Sequence, residues 1–400
     1  MSGVPESVAD PSPIRAAVEE IREDARLGPQ VVRAFHLPGQ EARFGELAPV
    51  LPEPLADALS RAGIERLWSH QAEGVEAARR GDDVLVTTPT ASGKSLVFHL
   101  PVLEEAVRGG DGRALFLFPL KALGQDQRTK FLELSMAAGV PASCEIYDGD
   151  TPRSRRRKIR DDPPRVVVSN PDMLHLGILG SWPSWEPFLR ELRWIVLDEL
   201  HTYRGIFGSH FYHVLQRFLR VCRGVGSEPR LVASSATAAN AGEFARALTG
   251  REFHWISESG SPRRGRHLLL VQPETSPYTT TLRLLIRLLK SDLKTIVFTK
   301  ARRITELLYK WLRQQEPELA RKVASYRAGF LPKERRTIEA ELFSGRLQGV
   351  ISTSALEMGI DVGGLAAGIL VGYPGRVLAT WQRGGGAGRV GRESLTALVA

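Results

Sequence analysis

Cysteine and long apolar runs are scarce in this sequence of 400 residues. Its two cysteines, Cys144 and Cys222, are too few for a disulfide framework or for a zinc site made of four thiolates. No run of about 18 apolar residues occurs, which argues against a membrane-spanning helix. The opening MSGVPESVAD lacks the basic and apolar segments of a signal peptide. These absences predict a reducing, cytoplasmic location and no membrane partner.

Acidic residues are outnumbered by basic ones, 45 against 54, which leaves a formal net charge of +9. This excess favours a polyanionic partner, although GC-rich coding also produces arginine-rich sequences. The densest basic run consists of Arg153, Arg155, Arg156, Arg157, Lys158 and Arg160. Such a run either binds phosphates or forms a solvated helix face.

Short apolar runs rich in β-branched residues alternate with amphipathic helical stretches. The runs cover residues 84–88, 114–118, 165–169, 194–197 and 231–234, and then 295–299, 349–353, 368–372 and 396–400. This alternation predicts an α/β fold with parallel sheets covered by helices on both faces. A Ser-, Pro-, Gly- and Arg-rich segment separates the two groups of runs. The predicted organisation is an amino-terminal extension, partly disordered, at 1–44, a domain at 45–255, a linker at 256–280 and a second domain at 281–400.

A phosphate-binding loop is predicted between the strand at 84–88 and a helix that begins near Lys94. The segment consists of Thr88, Pro89, Thr90, Ala91, Ser92, Gly93, Lys94 and Ser95. Backbone N–H groups of such a turn bind phosphate, while Lys94 would reach the β and γ oxygens and Ser95 would coordinate Mg²⁺. Thr88 stands where the pattern GxxxxGK[ST] has glycine, and a chance GKS in a loop is the alternative.

Two adjacent carboxylates, Asp198 and Glu199, follow the apolar strand in ELRWIVLDELH. A strand end would deliver Asp198 to Mg²⁺ and hold Glu199 where it can polarise the attacking water. Alternatively, Glu199 only opens the next helix. The GKS loop upstream, across intervening βα units, favours the catalytic interpretation.

Three segments follow one another along the chain: TPTASGKS, DELH and the triplet Ser235-Ala236-Thr237. Their order is that of motifs I, II and III of superfamily-2 helicases, which this chain resembles. Other segments are similar to further motifs of that superfamily: WSHQ (68–71), FPLKALGQDQ (118–127), SNPDMLH (169–175), TIVFTKAR (295–302), STSALEMGID (352–361) and WQRGGGAGR (381–389). The wording of RLWSHQ, SNPDMLH and DELHTYRGIFGSH looks most like the YprA or mitomycin-repair-factor-A branch of bacterial DNA helicases.

The resemblance implies two tandem RecA-like domains that bind ATP and Mg²⁺ and couple hydrolysis to movement on nucleic acid. It assigns Gln71 to the adenine base, Gly359 and Asp361 to the ATP site, and Arg389 to the transferring phosphoryl group. The residues that would couple nucleotide state to the nucleic acid are His201, Ser235, Thr237 and Gln382.

The implied partner is single-stranded or partly duplex DNA in DNA repair, with an RNA helicase as an alternative. Motif matches place candidate nucleic-acid contacts at Pro119, Lys121, Gln125, Asn170, Pro171 and Thr353.

The chain departs from the superfamily in motif VI, where Gly386 occupies the position of the first arginine of QxxGRxGR. Loss of that cation would slow hydrolysis unless Arg383 or Arg392 compensates. A hydrolysis-impaired, ATP-dependent nucleic-acid-binding switch is therefore an alternative function. Related helicases continue with a helical region and often a cysteine-rich zinc module, so this chain is expected to be either a truncated product or a minimal two-domain motor.

Overall fold

A computed structural model of the chain describes residues 12–140, 142–237, 239–326, 332–353, 364–385 and 393–400. The chain divides into two compact units. The inserted unit is Ala42–Ser261, and the composite unit combines the described residues before 42 with those after 261. The chain therefore leaves the composite unit near residue 41 and re-enters it near residue 262.

The described part of the amino-terminal segment is folded, which differs from the partly disordered extension predicted from its polar composition. It forms helix α1 (Pro13–Glu23) and strand β1 (Val31–Leu37). One face of α1 is apolar at helical spacing, and that face is buried in the core of the composite unit: Ile14, Ala17, Val18 and Ile21. This helical spacing of apolar residues could have predicted α1 from the sequence, but the charged residues between these positions obscured it.

The inserted unit is a parallel sheet with helices on both faces. Its strands are β2 (Val84–Val86), β3 (Arg113–Leu117), β4 (Cys144–Ile146), β5 (Val166–Ser169), β6 (Leu192–Leu197), β7 (Arg230–Ser234) and β8 (His254–Ile256), in the spatial order β4-β5-β3-β6-β7-β2-β8. Its helices are α2 (Glu53–Arg61), α3 (Ser69–Arg80), α4 (Leu96–Val107), α5 (Lys121–Ala137), α6 (Arg153–Asp161), α7 (Pro171–Met173), α8 (Glu186–Arg190), α9 (Gly205–Gly224) and α10 (Ala241–Thr249).

Alternation along the central strands explains the two helical layers. On β3, Ala114 and Phe116 pack into one apolar cluster, while Leu115 and Leu117 pack into the cluster on the other face. Successive side chains of a strand point to opposite faces, so a continuous apolar run needs cover on both sides. The carboxyl ends of these strands lie at one edge of the sheet, where the loops described below project.

The composite unit is built in the same way around a second sheet. Its further strands are β9 (Arg266–Val271), β10 (Thr295–Phe298), β11 (Val323–Tyr326), β12 (Gly349–Ser352), β13 (Ala367–Val371) and β14 (Ser394–Val399), in the order β1-β9-β14-β13-β10-β12-β11. All described pairings are parallel except that of β1 with β9. Its further helices are α11 (Pro277–Lys290), α12 (Arg302–Gln315), α13 (Pro317–Ala320), α14 (Pro332–Phe343) and α15 (Val377–Gly385).

The predicted α/β fold with helix-covered parallel sheets is confirmed, but the segment predicted as a linker at 256–280 contains β9 and the start of α11. Turn-forming residues end just before Arg266, and the apolar run that follows is hydrogen-bonded between β1 and β14. The tertiary pairing thus makes a strand where the local composition indicated a connection. Among the described helices, none has both the length and the apolar character needed to cross a bilayer.

Candidate functional site

The segment between β2 and α4 is a phosphate-binding loop in geometry as well as in sequence. Ala91 and Gly93 have φ values of 63° and 76°, which turn the loop tightly before α4 begins. At Gly93 an added Cβ would lie 2.5 Å from Nε2 of Gln71, so another residue there would also displace the Gln71 amide. The loop therefore opens onto the amino terminus of α4, where backbone N–H groups favour anions.

Thr88 fits the loop although the general pattern has glycine there. Among the described residues other than glycine, positive φ values occur at Ala91, Glu199 and Asp292, so Thr88 needs no left-handed conformation. Its buried Oγ1 lies 2.6 Å from the Oγ of Ser92 and closes a hydrogen bond across the loop. The departure from glycine thus adds an internal bond and leaves the loop geometry intact.

Lys94 and the two carboxylates face the same edge of the sheet. The Lys94 ammonium donates to the carbonyl oxygens of Thr88 and Pro89 at 2.9 and 3.0 Å, which directs its charge into the loop. Asp198 follows β6, and its N–H donates to the carbonyl of Leu117 on β3 at 3.1 Å. The structure therefore places the predicted loop lysine and the predicted strand-end carboxylate where parallel-sheet proteins bind ligands.

The carboxyl of Asp198 is buried and its pKa is raised. Its Oδ1 accepts a hydrogen bond from the hydroxyl of Ser234 at the end of β7. Burial, together with the neighbouring charge of Glu199, raises the pKa of Asp198 to about 6, which Lys94 partly offsets. A buried carboxylate that is this reluctant to ionise is a natural ligand for a cation.

Glu199 is connected to the Ser235-Ala236-Thr237 segment through His201. Glu199 itself has φ 50°, a left-handed conformation that is uncommon outside glycine. The Nδ1 of His201 lies 3.3 Å from Oε2 of Glu199, and it also lies 3.3 Å from both the Oγ of Ser235 and the N of Ala236. The hydroxyl of Thr237 donates to the carbonyl of Thr87 at 3.0 Å. The structure thus brings together the predicted coupling residues His201, Ser235 and Thr237.

His70 is hydrogen-bonded both to the phosphate loop and to the segment where the chain leaves the inserted unit. The N–H of Gly260 donates to Nδ1 at 3.1 Å, so Nε2 carries the proton and donates to the carbonyl of Ser92 at 2.9 Å. Burial lowers the pKa of His70 to about 4, which keeps the ring neutral at physiological pH. Nothing in the motif WSHQ predicts this link, because Gly260 lies far along the chain.

An apolar cavity of about 740 Å³ opens beside the loop. Its wall includes Phe44, Trp68, Gln71 and Gly93. The rings of Phe44 and Trp68 lie 4.9 Å apart, and the guanidinium of Arg66 lies 4.3 Å from the Phe44 ring. The Gln71 amide accepts from the N–H of Trp68 at 2.9 Å and donates to the carbonyl of Gly93 at 3.0 Å. The structure therefore adds Phe44 and Arg66, which the motif comparison missed, to the predicted base-recognition residue Gln71.

The candidate nucleic-acid residues of the inserted unit meet at one place because β3 and β5 are adjacent strands. Lys121 and Asn170 line the same small cleft at their carboxyl ends. Lys121 pairs with Asp150 at 2.6 Å, and Asn170 caps α7 by accepting from the N–H of Met173. Pro119 is partly exposed and Gln125 is exposed. Pro171 is buried at the start of α7, so it supports this edge without offering its side chain to a ligand.

The basic run forms α6, which lies beside the same cleft. Arg156 donates to the carbonyls of Asp148 and Gly149 at 2.8 and 3.2 Å, in the loop that also carries the partner of Lys121. Arg155 pairs with Glu145 at 2.6 Å. Two cations of the run, Arg155 and Arg156, are therefore held beside this part of the sheet by contacts of their own.

The remaining predicted positions belong to the composite unit. Thr353 follows β12 and is partly exposed. Gly359, Asp361 and Arg389 lie outside the described residues, as do Gly386 and Arg392, and Gln382 is described only as part of the backbone of α15. The guanidinium of Arg383 lies 6.0 Å from the ring of Phe298, so it packs against the composite core.

The inserted unit has a phosphate loop with its lysine, and a buried acid and a second carboxylate follow a nearby strand. Together these features define a nucleotide-binding site of the P-loop class. Comparisons with known proteins narrow this class. Two family models match the chain: DEAD/DEAH box helicase over residues 68–244, and helicase conserved C-terminal domain over residues 280–392.

The uncharacterized ATP-dependent helicase YprA of Bacillus subtilis is 37% identical over 397 residues, which cover 96% of this chain and 53% of that protein. ATP-dependent helicase HRQ1 of Saccharomyces cerevisiae is 34% identical over 404 residues, covering 96% of this chain and 37% of that protein. The crystal structure of the DUF1998 helicase MrfA bound to DNA and AMPPNP matches with a TM-score of 0.90 at 36% identity, covering 96% of this chain and 55% of that one.

The chain belongs to the superfamily-2 helicases, in the branch of YprA and MrfA, which confirms the resemblance seen in the motifs. The loop and carboxylates of the inserted unit lie within the DEAD/DEAH box helicase match at residues 68–244. The chain spans about half the length of YprA and of MrfA.

Proposed function

We propose that this chain is the motor region of an ATP-dependent DNA helicase, which couples ATP hydrolysis to movement on single-stranded DNA in DNA repair. Two relatives, YprA and HRQ1, are named ATP-dependent helicases, and the matching MrfA structure contains both DNA and AMPPNP. The proposal includes the cytoplasmic location predicted from the sequence.

The observation that carries this proposal is the connection from Glu199 through His201 to the Ser235-Ala236-Thr237 segment. The N–H of Ala236 donates to Nδ1 of His201 at 3.3 Å, the Glu199 carboxylate packs 3.3 Å from the same nitrogen, and Thr237 returns to the carbonyl of Thr87 just before the loop. A change at the nucleotide site therefore has a direct route into the loops at the carboxyl edge of the sheet. A simple nucleotide-binding pocket would not need this connection.

The residues of the site have distinct roles in this proposal. Lys94 holds phosphate oxygens and Glu199 accepts a proton from the attacking water. Ser95 and Asp198 would hold Mg²⁺, and the buried, weakly ionising carboxyl of Asp198 fits a cation ligand. Bound Mg²⁺ neutralises charge on the phosphates. The family pattern also assigns Arg389, Gly359 and Asp361 to ATP, and these three lie outside the described residues.

The test is ATP hydrolysis by the purified chain, alone and with single-stranded DNA or RNA, with Lys94→Ala as the inactive reference. DNA-stimulated hydrolysis supports the proposal. ATP binding without stimulated hydrolysis would favour the hydrolysis-impaired switch suggested by Gly386, and stimulation by RNA alone would contradict the DNA assignment. In Gly386→Arg, an unchanged rate would show that the missing motif VI arginine is not needed.

We expect Phe44→Ala to raise the KM for ATP about tenfold with a much smaller change in kcat. Stacking of a base on an aromatic ring contributes about 1 to 3 kcal/mol, and about 1.4 kcal/mol corresponds to tenfold in affinity. Phe35→Ala is the matched control, because Phe35 is similarly exposed but lies on β1 of the composite unit. Steady-state kinetics with varied ATP measures both constants, and an unchanged KM would place the base elsewhere.

A further inference from the structure

The composite unit holds two histidines and a glutamate in one small cluster. His36 on β1 and His267 on β9 are directly opposite each other in the antiparallel pairing, with ring centroids 4.7 Å apart. Glu393 immediately precedes β14, the parallel neighbour of β9 on its other side. One potential ligand atom of each residue lies within 4.8 Å of the other two.

The backbone leaves room for an ion among these side chains. At Gly265 an added Cβ would lie 2.7 Å from Nε2 of His36 and 3.2 Å from Oε1 of Glu393. Any other residue at this position would therefore fill the space that the imidazole and the carboxylate share. Nε2 of His267 is buried, has no hydrogen-bond partner among the described residues and lies 3.8 Å from Oε2 of Glu393.

The carboxylate is oriented by a second layer of contacts from the start of the chain. Arg15 on α1 donates to Glu393 through Nε and Nη2, with a shortest distance of 2.7 Å. The hydroxyl of Ser12 donates to Oε2 of the same carboxylate. Groups that hydrogen-bond a metal-binding carboxylate from behind fix its orientation in known sites.

We propose that His36, His267 and Glu393 form a binding site for a Zn²⁺ ion. Two imidazoles with one carboxylate suit zinc or cobalt far better than magnesium or calcium. Zinc ligands lie about 2.0 to 2.2 Å from the metal, so pairs of ligand atoms can be up to about 4 Å apart. The three ligand atoms lie within 4.8 Å of one another, so zinc binding requires the exposed His36 side chain to move closer to the other two ligands. Bound zinc would cross-link β1 to β9 and to the start of β14, and a fourth coordination position would remain for water.

Binding of Zn²⁺ to the full 400-residue chain, measured by isothermal titration calorimetry, tests the proposal. We expect one Zn²⁺ per chain, at least tenfold weaker binding in His36→Ala, and a similar loss in Gly265→Ala, which keeps all three ligands but fills the space between them. His254→Ala is the matched control, because Nε2 of His254 faces Glu73 at 2.8 Å but belongs to no group of three potential metal ligands among the described residues.

Replacing zinc by Co²⁺ gives an independent readout. The wild-type chain should show visible d–d absorption without a thiolate charge-transfer band, because both cysteines are buried in the inserted unit. This absorption should be lost in His36→Ala and retained in His254→Ala. Absence of Zn²⁺ binding by the wild-type chain, or equal binding by His36→Ala, would overturn the proposal. His36 is exposed, so its replacement leaves the fold intact, which circular dichroism verifies.

Discussion

Glu199→Gln is expected to lower DNA-stimulated ATP hydrolysis by about 10²- to 10⁴-fold, the usual contribution of a general base, while ATP binding survives. Glutamine has nearly the same shape and can occupy the same position beside His201, but its amide cannot accept a proton from water. Phosphate release at saturating ATP and DNA measures the rate, and a fluorescent ATP analogue measures binding.

The matched control for this substitution is Glu252→Gln. Glu252 pairs with Arg246 at 2.9 Å on the surface and is far more exposed than Glu199. The same change of chemistry there should leave hydrolysis unaltered. If Glu199→Gln hydrolysed ATP at the wild-type rate, another residue would be the base, and the interpretation of the DELH segment would be wrong.

Asp198→Asn should have opposite effects on activity and stability. The substitution removes the charge proposed to hold Mg²⁺, so hydrolysis should fall to background. It also removes a buried carboxyl whose pKa is raised from 3.8 to about 6, a difference equivalent to a gain on the order of 2 to 3 kcal/mol in the free energy of unfolding at neutral pH. The asparagine carbonyl can still accept the hydrogen bond from Ser234.

The stability difference between Asp198→Asn and wild type should change with pH in a defined direction. Between pH 3.8 and about 6 the folded protein holds the Asp198 proton more tightly than the unfolded chain does, so this carboxyl costs more stability as the pH rises. The advantage of Asp198→Asn over wild type should therefore be full above about pH 6 and shrink toward about pH 4. Denaturant titrations across this range measure it, and a less stable variant at neutral pH would contradict the burial argument.

Local patterns were enough to predict the parts of the molecule that depend on neighbouring residues. The apolar run at 84–88 is found as β2 (Val84–Val86), and the run at 194–197 lies within β6. The phosphate loop was predicted because a turn between a strand and a helix is a local structure. The catalytic roles of the individual loop residues stay predictions.

Features that join distant parts of the chain could not be predicted in this way. β9 is a strand because β1 and β14 pair with it, and these lie near opposite ends of the sequence. Phe44 reaches Trp68, near the predicted base-recognition residue Gln71, through an isolated bridge. The cluster of His36, His267 and Glu393 likewise needs three strands to be paired before all of its members are neighbours.

Because one unit is inserted within the other, the two units should fold in a fixed order during synthesis on the ribosome. The strand β1 emerges early but pairs with β9, and that pairing needs residues on the far side of Ala42–Ser261. The inserted unit can close its own sheet first, because domains fold as units as they emerge. Once folded, the inserted unit holds its two ends together, since the N–H of Arg43 donates to the carbonyl of Gly260 at 2.8 Å, and β1 can then pair with β9 without closing a long flexible loop. The apolar face of α1 must therefore stay uncovered until most of the chain has been made.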